Sequence, residues 1–142
     1  MRDGTEGPPA RRPRRAAVSA RVNIDGVPIQ VYSVHLGAPI RAQREERRDQ
    51  IEALLADARL SAEPVVIGGD FNSYDLGLVL EAEGFTWVTK SVGRTLAFWS
   101  FDHVFVKGLH PTTPHGAGVA RNVKGVSDHR PVWATLLPGG VL

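Results

Sequence analysis

The sequence predicts an α/β (α+β) domain, and three patterns carry that prediction. Residues 16–35 alternate apolar and polar at period two around Asp25-Gly26. Ile51, Leu54, Leu55 and Ala58 recur at helical spacing. Residues 64–69 form a short continuous apolar run, as in a strand covered on both faces. A chain of 142 residues fits one domain, and near this size a domain buries about 68–70% of its unfolded surface.

Composition narrows the class further. The absence of cysteine excludes a disulfide scaffold, a thiolate zinc site and a cysteine nucleophile. There is no apolar run of about 18 residues to span a bilayer, and no apolar signal segment in the first thirty residues. A cytoplasmic globular domain is the expectation, and a leader or anchor preceding this sequence would change it. Residues 1–15 hold five arginines against Asp3 and Glu6, whereas the remainder carries twelve basic and thirteen acidic residues. The positive excess therefore lies in a Gly/Pro/Arg arm, expected to be disordered and capable of weak, non-specific polyanion contact. Residues 16–138 form the expected domain and residues 139–142 a tail.

Each element has its own signal. Asp25-Gly26 suits a type I′ turn, because both central residues need positive φ. A two-residue loop then pairs Ile24 with Val27, Val22 with Ile29, Ala20 with Val31 and Ala16 with His35, all on one face. Residues 38–60 read as a helix whose first half is a charged, solvated face, with Glu45 and Arg48 spaced to pair. The run at 64–69 delivers Asp70 to its C-terminal end. Ser73 or Asp75 can cap a helix over 76–83, which Gly84 stops. Residues 85–89 and 101–107 are strands by β-branched and aromatic content. Residues 108–126 read as a long loop, with room for a short strand near Val119, and Pro131 opens a last strand through 137. The order is β-β-α-β-α-β-β-β, without an internal repeat.

Four clusters with catalytic chemistry stand at strand ends. In Gly69-Asp70-Phe71-Asn72, an extended chain would point Asp70 and Asn72 to one side. A carboxylate and an amide oxygen suit a hard cation such as Mg²⁺ or Mn²⁺, while an Asx-rich turn is the bland reading. In Ser127-Asp128-His129-Arg130-Pro131, an adjacent Asp and His can divide into ligand and general base. Asp102 shares a face with Val104 and Val106, a costly place for a carboxylate without a partner. His129 would supply that partner, and Asp102 would then orient the imidazole. His103 faces the other way as a structural residue. The fourth cluster is His35 in Val34-His35-Leu36-Gly37, which gains weight only from the company of the others. His110 and His115 fall in the loop without such company.

Taken together, these pieces resemble the endonuclease/exonuclease/phosphatase family of divalent-metal phosphoesterases, which includes type I deoxyribonuclease. The strand-His-Leu at His35, Gly-Asp-Phe-Asn at 69–72, Asp-His-Val-Phe-Val at 102–106 and Ser-Asp-His-Arg-Pro-Val at 127–132 follow the family's order. The resemblance implies the C-terminal part of a four-layered α/β sandwich of the deoxyribonuclease-like kind. It lacks the family's N-terminal Asn and Glu motifs, and so reads as N-terminally truncated. It also implies roles. Asp70 and Asn72 would position the attacking water and contact metal and phosphate, and Asp128 would be a metal ligand. His129 would be the base held by Asp102, and His35 would bind a phosphate oxygen. The implied cofactor is Mg²⁺ or Mn²⁺.

The implied function is phosphomonoester or phosphodiester hydrolysis, with nucleic acid, phospholipid or sugar phosphate as the substrate class. The alternative is a catalytically inactive remnant of the same fold that acts, if at all, as a binding module. A nucleic-acid-binding module driven by the Arg arm ranks below both, since the rest of the chain is slightly acidic. A metallo-β-lactamase-type hydrolase is a poor match, since the His-x-His cluster it needs is absent. Substrate choice is expected to lie in residues 94–100 and 108–126. Phe98 and Trp99 have faces that could stack on a base or lipid, but core packing is the expected use.

Overall fold

The computed structural model describes residues 17–39, 44–113, 115–121, 123 and 125–138. The expected basic arm, the Ala16–His35 pairing, part of the first helix (40–43) and the 139–142 tail lie outside these. β1 (Ala17–Ile24) and β2 (Val27–His35) form the expected hairpin. Ile24 faces Val27, Val22 faces Ile29, and Ala20 faces Val31. Asp25 and Gly26 take φ of 52° and 84°, the left-handed pair that a type I′ turn requires. The Asn23 carboxamide oxygen accepts the Gly26 N–H at 2.9 Å.

The helix α1 (Arg44–Ala58) buries Ile51, Leu54, Leu55 and Ala58 as one stripe. Residues 36–39 are not helical, so the expected start at 38 is too early. Ala38 precedes Pro39, whose ring disfavours the α region for the residue before it. β3 (Val65–Asp70) follows and runs parallel to β2. α2 (Asp75–Ala82) begins after Tyr74, with no side-chain cap. Neither Ser73 nor Asp75 is the cap: Ser73 lies one position too early and Asp75 is already in the first turn. Gly84, at φ 83°, ends the helix as expected.

The strand expected at 85–89 shortens to β4 (Thr86–Trp87). Its continuation is cut off because the Thr89 hydroxyl, not a main-chain carbonyl, accepts the Val104 N–H at 2.8 Å. β5 (Asp102–Lys107) completes a sheet of order β1-β2-β3-β5-β4. Within the expected loop 108–126 the short strand near Val119 is present as β7 (Ala117–Val119), and β6 (Leu109–Pro111) is a further strand that the sequence did not indicate. The expected last strand splits into β8 (Val132–Ala134) and β9 (Leu136–Pro138). β6 pairs with β9 and β7 with β8. Thr135 sits between the two ribbons, donating to the Gly116 carbonyl at 2.7 Å and accepting from the Thr112 N–H at 3.0 Å.

Both helices cover one face of the sheet, where Ile51, Leu55, Leu80 and Phe71 pack on Ile67 and Phe105. Burying one such side chain contributes about 1.5–3 kcal/mol. On the other face Ile29, Val31, Val66, Val104 and Val106 meet Leu109 and Leu136 of the β6–β9 ribbon. On edge strand β1, Val18 and Ile24 keep 69% and 56% exposure. No helix among the described residues is long and apolar enough to cross a membrane.

Candidate active site

The ends of β2, β3 and β5 lie in register, so that His35 is paired with Asp70 and Asp70 with Asp102. Steps of two from Val31, Val66 and Val104 put all three side chains on the sheet face away from the helices. Three residues remote in sequence thus form one row. Gly69 allows it. Its φ is 143°, and a Cβ there would stand 2.0 Å from the Val34 carbonyl oxygen, so no other residue lets β3 lie this close to β2.

His129 joins the row from the segment before β8. Its Nδ1 lies 2.8 Å from Asp102 Oδ2, and its Nε2 lies 4.0 Å from Asp70 Oδ2. His35 Nε2 approaches the same Asp70 oxygen to 3.5 Å. Burial alone would lower the pKa of the His129 ring. The hydrogen bond and charge of Asp102, with Asp70 and Asp128, outweigh it and hold the ring above its usual value. With Nδ1 committed to Asp102, Nε2 is the atom left to face a substrate, which is the geometry of an oriented base.

Asp70 is the desolvated carboxylate of the group. Burial raises its pKa most; the Asn72 N–H and the two histidines oppose this, while the charge of Asp102 adds to it. Asn72 sits beyond the end of β3 at φ 48°, so strand alternation does not place it. A turn does. Its N–H donates to Asp70 Oδ1 at 2.8 Å, and its Nδ2 to Asp70 Oδ2 at 3.1 Å and to the Leu36 carbonyl at 3.0 Å. This is the Asx turn of the bland reading, and it brings the two side chains together by hydrogen bonds and not by extended alternation.

One atom from each of Asp70, Asp102 and His129 falls within a 4.8 Å group able to hold a metal ion. The oxygen-rich donors suit a hard dication, and a half-buried carboxylate gains from a cation beside it. Of the expected metal ligands, Asp70 is in this group and Asn72 is bonded to it. Asp128 is exposed and outside it.

His103 is fully buried among Phe71, Trp87 and Phe105, with ring centroids 5.9, 4.8 and 6.0 Å away. It is structural, as expected. Phe98 and Trp99 are not core residues: they are 77% and 55% exposed, because residues 96–99 form a tight turn beside His129, with Leu96 bridging both Trp99 and His129. Thr95 was not marked by the sequence. It lies in an aperiodic stretch after Gly93-Arg94, and only the folded chain shows it bonded to both sides of the site.

Comparison with known proteins agrees with this fold. The chain spans 40% of an endonuclease/exonuclease/phosphatase from Beutenbergia cavernae, with 89% of this chain covered, TM-score 0.72 and 20% identity. It spans 62% of a D. rerio TDP2 complexed with single strand DNA product, with 87% covered, TM-score 0.70 and 17% identity. It spans 57% of a mannosyl-6-phosphatase from Bacteroides thetaiotaomicron, with 87% covered, TM-score 0.63 and 17% identity. At these identities the likeness is one of fold. No curated protein matches significantly in sequence. The chain does match a family directly over residues 3–129. With that match, and a site assembled from the same four motifs, the chain belongs to the Endonuclease/Exonuclease/phosphatase family.

Proposed function

We propose that this chain hydrolyses a phosphate ester by in-line attack of water, with His129 as general base and Asp102 as its orienting partner. The 2.8 Å His129–Asp102 bond, aimed beside Asp70, carries this reading. The His129 Nε2 takes a proton from water as the new O–P bond forms and the P–O bond to the leaving group breaks. The leaving alkoxide takes its proton from solvent. Positioned acid–base groups of this kind typically contribute 10²–10⁴-fold. His35, at the end of the row, would donate to a phosphate oxygen and stabilise charge growing there.

A divalent cation would be held at Asp70, with Asn72 and Asp128 as further oxygen donors. Bound Mg²⁺ or Mn²⁺ supplies polarisation of the phosphoryl oxygen and neutralisation of the leaving group. The Asp70–Asp102–His129 group could also take a cation, but that would consume the His129 ring as a ligand. Asp70 Oδ2, 4.0 Å from Nε2, would position the attacking water, and Asn72 fixes the Asp70 carboxylate through two hydrogen bonds. The nucleic-acid, phospholipid and sugar-phosphate classes all present the required phosphate ester.

The test is turnover of bis(p-nitrophenyl) phosphate and p-nitrophenyl phosphate with Mg²⁺ or Mn²⁺, alongside a melting curve with and without metal. His129→Ala is expected to lose roughly 10²-fold or more in kcat. The acidic limb of kcat/KM is expected above pH 6.5, because Asp102 raises the pKa of the ring and only its neutral form accepts a proton. Equal turnover by His129→Ala would remove it as the base. A metal that binds only the folded chain raises its melting temperature. No rise and no turnover at millimolar metal would favour the non-catalytic remnant.

A further inference from the structure

Thr95 is almost completely buried, at 1% exposure, and makes bonds in two directions. Its hydroxyl oxygen accepts the N–H groups of Phe101 at 3.0 Å and Asp102 at 3.2 Å. Its carbonyl accepts the N–H of Arg130, the residue after His129, at 2.8 Å. Its own N–H donates to the Trp99 carbonyl at 2.9 Å, which closes residues 95–99 into a turn. The next residue, Leu96, bridges His129 itself. One side chain thus fixes the peptide that carries Asp102, and the same residue's main chain fixes the peptide beside His129.

That placement matters because Asp102 and His129 come from different elements. Asp102 opens β5 and is paired on one side only, with β3, since β4 meets β5 at Phe105 and Val106, and the side chains around His129 from 125 to 131 are mostly exposed. Neither peptide is set by a strand pairing on both sides. An oriented base depends on placement to within tenths of an ångström, and a misplacement of about 1 Å can cost about 10²-fold in rate. We propose that Thr95 is a positioning residue for the Asp102–His129 pair, holding donor and acceptor to one frame without touching substrate. This rests on the base assignment above. A β-branched side chain suits the task, since its χ1 is restricted and the hydroxyl stays where the two N–H groups converge.

Thr95→Val keeps the shape, removes the acceptor and leaves the main-chain bonds in place. Thr95→Ser keeps the acceptor. Thr89→Val is the matched control: Thr89 is also fully buried, and its hydroxyl accepts an N–H of the same strand, from Val104 at 2.8 Å. With bis(p-nitrophenyl) phosphate and Mn²⁺, Thr95→Val is expected to lose roughly 10²-fold in kcat with KM within about threefold. Thr95→Ser should recover most of it, and Thr89→Val should keep activity while losing a comparable amount of melting temperature. A proton spectrum of the full chain gives a second readout that needs no turnover. The downfield Nδ1 proton of His129, hydrogen-bonded to Asp102, should be present in the native chain and in Thr89→Val, and lost in Thr95→Val.

Retention of that resonance and of native kcat by Thr95→Val overturns the proposal. So does an equal loss of kcat in Thr89→Val. If the native chain fails to turn over either phosphate, the hydrolase reading falls while the resonance still decides the role of Thr95.

Discussion

His103 and Asp102 are neighbours in sequence that face opposite sides of the sheet and stand in opposite chemistry. Asp102 meets a partner in His129, whereas His103 meets aromatic rings. Burial pushes the His103 pKa down to about 4, only partly opposed by the backbone at Ser100 and Ser73 and the charge of Asp102. The ring is therefore neutral in the folded chain and protonates near 6.5 in the unfolded one. Its contribution to stability is full above pH 6.5, falls as the pH drops from there, and is gone below about pH 4. About 3 kcal/mol should be lost across that window. Urea unfolding at pH 7 and pH 4.5 should show this in the native chain and a shallower dependence in His103→Phe. Parallel curves for the two would assign the acid lability elsewhere. At this scale the sequence was readable wherever a residue's neighbours set its side: alternation along 101–107 separates Asp102 from His103. Thr95 was not readable, because its partners at 101, 102 and 130 converge only through tertiary structure.

The helix α2 shows how packing overrides local preference. Gly77 lies in its interior, where alanine would ordinarily gain about 1 kcal/mol. Here an added Cβ would stand 2.3 Å from a carbon of the Trp87 ring. The indole has little room to retreat, being packed at 4.6 Å from Tyr74, 4.8 Å from His103 and 5.2 Å from Phe105. Overpacking of this sort costs about 1–3 kcal/mol or more, so Gly77→Ala is expected to lower the melting temperature despite the better helix former. A higher melting temperature would show that the aromatic cluster is looser than its geometry. Elements with enough repeats announced themselves: the hairpin has eight paired positions, and the α1 stripe spans two turns. The ribbons β6–β9 and β7–β8 did not, since strands of three residues each carry too few positions to establish a period. Their pairing partners are also far along the chain.

Across the whole molecule, the site is legible as an order of motifs before it is legible as a place. Sequence alternation supplied the side on which each group stands, and the parallel β2–β3 and antiparallel β3–β5 pairings supplied the row. The motif at 127–131 marked His129, but the path by which residues 125–131 reach the row was not legible, because it is fastened by the remote Thr95 and Leu96 and by the Ala120 N–H on the Pro131 carbonyl.

The same division gives the site two lifetimes. His35, Asp70 and Asp102 are rooted in the central strands and should separate only when the sheet itself comes apart. His129 hangs on a mostly exposed segment fastened by the Arg130 N–H to the Thr95 carbonyl, and such segments open at a fraction of the global free energy. Native-state hydrogen exchange should find the Arg130 amide opening more easily than that of Ile67 in β3. Equal opening energies would make the two halves one unit. Expected instead is a sheet that waits, fully formed, while His129 comes and goes.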